Sequence, residues 1–379
     1  MKIAHLVGHG ALNGVATSSR ILIQAQLDAG HEVMLVHSLG SWIEQQQFSG
    51  PIRMMGSNFA TTPKELRRVG YAIRDWGEDV VHTHGSRGNK FGLVFRCAAG
   101  TPIVMTAHAR QYQLPWLFAH EVIGLSQWTV DYYIKYWLVS RRHIHLLPNM
   151  FDVSRVEPVS ATSRARARAV LGIREQAFLV GSVGQLGRRK NQSDMVRVLR
   201  QLLGKGVDAE LLVVGSTQQG NDIMPEWDGA IAAPEMQGRI HLPGLRTDAL
   251  DLLPAFDVFL MTSRDEQAPI APLEAMAAAL PVLSTRVGNM VDLLPEEQTF
   301  AVGDVDGMAA AALELRDEAR RRAVGQAGRQ ESHASSTRGA SLARSTGSTA
   351  WPSSGRAKSA GKNSAGPEPP AVRNEMLLV

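Results

Sequence analysis

The chain has 379 residues, 44% of them hydrophobic and 20% charged, enough for two packed cores and too apolar for a disordered or fibrous protein. The net charge of +4 is concentrated after Gln330, where six Lys/Arg face three Asp/Glu; the remainder is almost neutral, so a nucleic-acid partner is not expected. Cys97 is the single cysteine, which excludes an internal disulfide and a multi-cysteine zinc site.

No apolar run approaches the roughly 18 residues needed to cross a bilayer, and "MKIAHLVGHG" lacks a signal-peptide pattern. The expectation is a cytoplasmic protein that can touch the inner face of the cell membrane.

In chain order, short apolar runs alternate with longer helical patterns: "KIAHLV", "EVMLVHS", "DVVHTH", "PIVMTA", "EVIGLS" and "HIHLLP", then "FLVGSVG", "AELLVVGS", "RIHLPG", "DVFLMTS" and "PVLSTRVG". This alternation predicts βαβ units, an α/β fold of two Rossmann-like domains with parallel sheets. The boundaries are 1–152 for the first domain, 153–330 for the second and 331–379 for a low-complexity tail. Arg164, Arg166 and Arg168 lie near the join and read as the solvated face of a linker helix. The tail is rich in Ser, Ala, Gly, Arg and Pro, has little apolar periodicity, and is expected to be disordered over about 331–375.

The loop "VGHGALNGVATSSR" follows the first strand and opens a helix, where free amides and the helix dipole favour an anion. Gly8 and Gly10 fit a dinucleotide fingerprint, but Asn13 occupies the third-glycine place and Gly14 comes one residue late. A ligand contact and a plain tight turn both remain open there. The broken fingerprint argues against a Rossmann oxidoreductase. "GSVGQLGRRKNQ" repeats the arrangement in the second domain, with Gly181 and Gly184 allowing a close turn and Arg188, Arg189 and Lys190 supplying cations for a diphosphate.

"DEQAPIAPLEAMAAALPV" then sets Glu266 and Glu274 eight positions apart across two prolines, before an alanine-rich helix predicted over Leu273 to Leu280. A carboxylate near a helix N-terminus is favoured by the dipole, which explains Glu274 but not Glu266.

This pair, with "VHTHG", "TAHAR", "PNMFD", "VGQLGRRKN", "LLVVGS" and "LEAMAAALPV" in order over roughly residues 1–330, resembles the retaining GT-B glycosyltransferases of family 4. The resemblance implies a nucleotide-sugar donor held mainly by the second domain, an acceptor on the first, and no metal or other cofactor. It implies that Glu274 binds the ribose hydroxyls, that Glu266 lies beside the donor sugar, and that Lys190 neutralises the diphosphate leaving group. Backbone amides of Ile270 and Ala271 would cradle phosphate, with Arg188, Gly184, Gly10 and Gly14 around the donor and His108 reaching the cleft. His82 and His84 are read as strand-end packing or acceptor contact rather than metal ligands.

Gln185 departs from the resemblance, standing where relatives often carry a phosphate-binding arginine. The C-terminal helix that relatives fold back onto the first domain is also expected to be lost or replaced, since the tail has the composition of a shifted reading frame. The function these readings imply is retaining transfer from a UDP- or GDP-sugar to a glycan or lipid-linked glycan, in envelope polysaccharide or lipopolysaccharide synthesis. A sugar-nucleotide epimerase of the same fold, or a catalytically impaired sugar-nucleotide-binding protein, are the rivals.

Overall fold

In the computed structural model the described residues are 1–110, 114–136, 138–149, 151, 153–216, 229 and 231–345. The first domain holds seven strands: β1 (Lys2–Val7), β2 (Glu32–Ser38), β3 (Ile52–Ser57), β4 (Val80–His84), β5 (Ile103–Ala107), β6 (Glu121–Gly124) and β7 (Ile144–Leu146). They pair in the order β3-β2-β1-β4-β5-β6-β7. The second domain holds β8 (Phe178–Val183), β9 (Ala209–Val214), β10 (Ile240–His241), β11 (Val258–Met261), β12 (Val282–Thr285) and β13 (Thr299–Phe300), ordered β10-β9-β8-β11-β12-β13. Each pairing is parallel, so the connections must cross over the faces, and helices cover both sides.

Burial on both faces explains the uninterrupted apolar runs. β9 is buried at all six positions, and β4 at all five, although three of the latter are His82, Thr83 and His84. In the first domain Val69, Phe91, Phe95 and Tyr133 pack one side of the sheet, while Ile23 and Leu27 of helix α1 (Gly14–Asp28) pack the other.

The sequence reading missed β3 and β13. β3 is an edge strand whose pattern is mostly exposed or half-buried, and its Arg53 and Gly56 blur the apolar signal; β13 has only two residues.

Asn13, the residue that breaks the glycine fingerprint, is the N-cap of α1: its side chain accepts the amide of Ala16 at 3.0 Å. Arg164 and Arg168, on the helix Ala161–Leu171, correct the solvated-face expectation. Both turn inward onto the buried Asp257 at 2.9 Å, and Arg168 is only 2% exposed. A buried carboxylate needs such partners, because leaving it unpaired is expensive. Arg166, between them, is exposed as expected.

The tail expectation is corrected over residues 331–345. A final helix runs Glu318–Ser345, so the fold-back helix is present rather than lost. It packs against the second domain and reaches α1 of the first. Gly325 makes the contact possible, since a Cβ there would meet the Ala279 carbonyl oxygen at 2.0 Å. Ser332 Oγ donates to the Leu273 carbonyl at 3.2 Å and Ser336 Oγ to that of Phe151 at 3.0 Å. Small and hydroxylated residues dock this helix, which is why apolar periodicity did not announce it. The rest of the expected tail, residues 346–379, lies outside the described residues.

Candidate nucleotide-sugar site

The cavity at the carboxyl ends of β8 and β11 is lined by Ser182, Val183, Gly184, Lys190, Ser263 and Pro272, among others. Ligands in open parallel sheets gather at this end, where strands stop and loops diverge. Two loops build it. The first runs from Gly184 to Asn191, which holds φ +52 and caps helix α2 of this site (Gln192–Gly204). The second runs from Thr262 to Pro269, the N-cap of helix α3 of this site (Ile270–Ala277).

The loops are tied together. Thr262 Oγ1 donates to the carbonyls of Lys190 and Asn191, at 3.1 and 2.9 Å, and the Arg264 amide donates to the Arg189 carbonyl at 2.8 Å. Beneath the second loop lies Gly288 at φ +58, where a Cβ would stand 2.5 Å from the Gln267 carbonyl oxygen.

Glu266 is at the centre. Its Oε1 meets Lys190 Nζ at 2.8 Å and its Oε2 meets Arg189 Nη1 at 2.6 Å, while Ser263 Oγ donates at 3.1 Å. Burial would raise its pKa, but the charges of Lys190 and Arg189 outweigh burial and hold it below the ordinary value. Glu266 therefore stays ionised, and both its oxygens are already engaged by cations. Two cations against one carboxylate leave a positive surplus, suited to a diphosphate. Arg189, not Arg188, is the arginine that pairs with Glu266, although both are exposed. Gln185 keeps its carbonyl bonded to Gln192 Nε2 at 2.9 Å.

Glu274 sits in the second turn of the helix that follows, half-buried, with no hydrogen bond from the protein among the described residues. Burial pushes its pKa up to about 7, with the Arg155 charge acting the other way. Pro269 offers that helix no side-chain cap, so the amides of Ile270 and Ala271 open its first turn without one. The helix starts earlier than the predicted Leu273, since Pro272 lies within the first turn, where its missing N–H costs nothing. It ends at Ala277, and two residues on Ala279 turns the chain at φ +61.

In the first domain, His108 Nε2 lies 3.2 Å from His84 Nδ1, and burial, helped by His9, holds its pKa down to about 3. The imidazole is therefore neutral, able to donate one hydrogen bond and accept another. His82 and His84 are 0% and 1% exposed, which corrects the acceptor-contact reading and leaves packing inside the sheet. Gly10 and Gly14 are exposed with open space beside them. Protein packing does not require either to be glycine.

The sequence reading missed the residues that join the domains. Arg110 donates to Asp265 Oδ1 from Nη2 and Nε, at 2.6 and 3.1 Å, and lies over the rings of Trp128 and Tyr132. Thr129 Oγ1 donates to Gln267 Oε1, and Asn149 Nδ2 to the Ala268 carbonyl at 2.6 Å. First-domain side chains thus grip the loop that carries Glu266. These partners lie more than a hundred residues apart in sequence, where spacing carries no signal.

Family models place this arrangement. Residues 12–155 match "Glycosyltransferase Family 4" and residues 177–318 match "Glycosyl transferases group 1", one on each domain. The chain belongs to the GT-B glycosyltransferases of family 4. Among curated relatives of this glycosyltransferase is the UDP-Gal:alpha-D-GlcNAc-diphosphoundecaprenol alpha-1,3-galactosyltransferase of Escherichia coli. It is 26% identical over 262 residues, covering 63% of this chain and 67% of the relative. A GDP-mannose-dependent phosphatidylinositol monomannoside mannosyltransferase of Corynebacterium glutamicum is 29% identical over 197 residues, 48% of this chain and 50% of the relative. The match thus spans two thirds of the first relative and half of the second.

Among solved structures, Anabaena HepE in complex with UDP and glucose superposes with a TM-score of 0.79 at 18% identity, covering 91% of this chain and 97% of that one. WaaG, a glycosyltransferase involved in lipopolysaccharide biosynthesis, gives 0.66 at 18% identity, covering 90% and 99%. Both likenesses concern the fold.

Proposed function

We propose that this glycosyltransferase moves a sugar from a UDP- or GDP-sugar to an acceptor hydroxyl with retention of anomeric configuration, in the synthesis of a cell-envelope glycan. The observation that carries the reading is the Glu274 carboxylate, half-buried and without a hydrogen-bond donor among the described residues, on the helix that follows the loop of Glu266. A carboxylate offers acceptor positions matching two vicinal ribose hydroxyls, and lost water is repaid only if a ligand supplies those donors.

Lys190 and Arg189 then face the diphosphate, with the Ile270 and Ala271 amides beside it. As the glycosyl–phosphate bond breaks, negative charge grows on the leaving phosphate, and fixed cations stabilise that charge more than the ground state. Glu266 holds both cations in position and lies where the sugar is expected. The leaving phosphate oxygen takes the acceptor proton on the sugar face it departs from, so no enzyme nucleophile is assigned. No metal or other cofactor enters this scheme.

The acceptor approaches from the first domain, beside Arg110 and His108. Leu114, Leu117 and Phe118 are exposed there, with Trp128 on the helix Gln127–Lys135, which suits an acceptor carried on a lipid at the inner face of the membrane. No helix among the described residues is long and apolar enough to cross a membrane. The activities of the E. coli and C. glutamicum relatives, on a diphosphoundecaprenol and a phosphatidylinositol monomannoside, agree with that acceptor class.

The test is to incubate the chain with UDP- and GDP-sugars and extracted lipid-linked acceptors, and to read the new anomeric linkage by NMR. Transfer with the α-configuration of the donor kept is the expected result. An inverted product, or epimerised sugar nucleotide formed with no acceptor present, contradicts the proposal.

A further inference from the structure

Three buried histidines form a cluster that the donor site does not use. His5 on β1 stands opposite His82 on β4, and His84, two residues on, projects from the same face because side chains alternate along a strand. One ring nitrogen from each lies within 4.8 Å of the other two, and the residues are 0%, 0% and 1% exposed.

One nitrogen of each ring is held from outside the cluster. His5 Nε2 lies 2.7 Å from Gln26 Oε1, His82 Nε2 lies 2.7 Å from Thr106 Oγ1, and His84 Nδ1 lies 3.2 Å from His108 Nε2. Of the remaining three, His5 Nδ1 and His84 Nε2 are 3.0 Å apart, close enough to share one hydrogen. His82 Nδ1 is buried with no hydrogen-bond partner among the described residues. Hydrogen bonding therefore accounts for two of the inner nitrogens and leaves the third orphaned, which folded proteins avoid.

We propose that His5 Nδ1, His82 Nδ1 and His84 Nε2 bind a zinc ion inside the first domain, separate from the donor site. Three imidazoles are an established zinc ligand set, with a fourth place for water. Imidazole ligates in its neutral form, through the nitrogen that carries no proton. The outer partners fix ring orientation and tautomer, as they do around metal-bound histidines generally.

Tetrahedral Zn–N bonds of about 2.0–2.1 Å separate ligand nitrogens by about 3.3 Å. The His5–His84 pair, at 3.0 Å, is already near that spacing, and a His82 ring nitrogen lies within 4.8 Å of both. The ion would cross-link β1 to β4 and act further along the chain of rings. With His84 Nε2 on the metal, its proton sits on Nδ1 and is donated to His108 Nε2, which leaves the His108 proton on Nδ1. The ion thereby sets the tautomer of the histidine on the loop that carries Arg110.

The test uses the full chain freed of any affinity tag and dialysed against metal-free buffer, with metal content read by mass spectrometry and cobalt(II) as a spectroscopic probe. Wild type should hold about one zinc per chain, and its cobalt form should show the intense visible absorption of a tetrahedral site. His82→Asn should lose both, while a control outside the cluster, His145→Gln, keeps them. A wild type that retains no zinc and takes up no tetrahedral cobalt overturns the proposal. So does zinc retained equally in His82→Asn, or lost in His145→Gln. If His82→Asn does not fold, the cobalt spectrum of wild type and of His145→Gln decides alone: bands in both support the site, and their absence from wild type ends it.

Discussion

Glu274 and Glu266 are eight residues apart and do opposite things, and the difference comes from their neighbours. Glu266 is paired twice and stays ionised; Glu274 has no donor among the described residues, and burial lifts its pKa from 4.5 to about 7. The sign follows from linkage. Below about pH 4.5 the carboxyl is protonated in both folded and unfolded states and costs nothing. Between pH 4.5 and 7 only the unfolded chain ionises, so stability falls as pH rises, and above 7 the penalty levels off near 3 kcal/mol. Glu274→Gln should then be more stable than wild type at pH 8, by up to about 3 kcal/mol, and similar at pH 4.5. Urea denaturation at the two pH values checks this; equal stability at both would mean the carboxylate is solvated. The two glutamates and Lys190 were legible because their chemistry is carried by a fixed local spacing. Arg110, Asp265 and Gln267 were not, because their meaning depends on a partner in the other domain. The Arg164–Arg168 run was misread because charge alone does not reveal a buried partner such as Asp257.

At the scale of elements, the parallel strands were readable because burial on both faces makes them continuously apolar. An edge strand with Arg53 and Gly56, and a final helix docked by Gly325, Ser332 and Ser336, carry no such signature. Asp257 shows how the elements are locked: it accepts from Arg168 and Arg164 of the helix Ala161–Leu171 and from the Leu179 amide of β8, at 2.7 Å. Asp257→Ala leaves Arg168 buried without its counter-charge, and should cost about 3–5 kcal/mol. Its denaturation midpoint should drop accordingly, whereas Asp75→Ala, exposed on the helix Pro63–Trp76, should shift stability by less than about 1 kcal/mol. Gly288 has the more specific effect. Gly288→Ala needs φ +58 and 2.5 Å of space that the Gln267 carbonyl occupies, so the Glu266 loop must move. Donor affinity should weaken more than overall stability does, measured by calorimetry beside a denaturation curve.

Across the whole molecule, the donor loop is held from both sides: by Lys190 and Arg189 of its own domain, and by Arg110, Thr129 and Asn149 of the other. Closure and donor geometry are therefore coupled through residues 265–268. The Arg110–Asp265 pair is partly exposed, at 23% and 36% of its side chains, so solvent screening limits its worth to about 1 kcal/mol or less. Arg110→Ala should shift the open–closed balance by up to about five-fold, seen as a larger radius of gyration in small-angle scattering and a raised KM for the donor. An unchanged scattering profile and KM would mean that the final helix, which also spans both domains, holds closure by itself.

The central claim is that the cavity at the carboxyl ends of β8 and β11 is a nucleotide-sugar site with Glu274 as its ribose anchor. The most direct measurement is calorimetric titration of the full chain with UDP, GDP and their sugars, wild type beside Glu274→Gln. One nucleotide series binding to wild type, with at least a ten-fold loss in a Glu274→Gln chain that remains folded, is the predicted result. Equal binding by the two proteins, or no binding of any nucleotide to wild type, would contradict it.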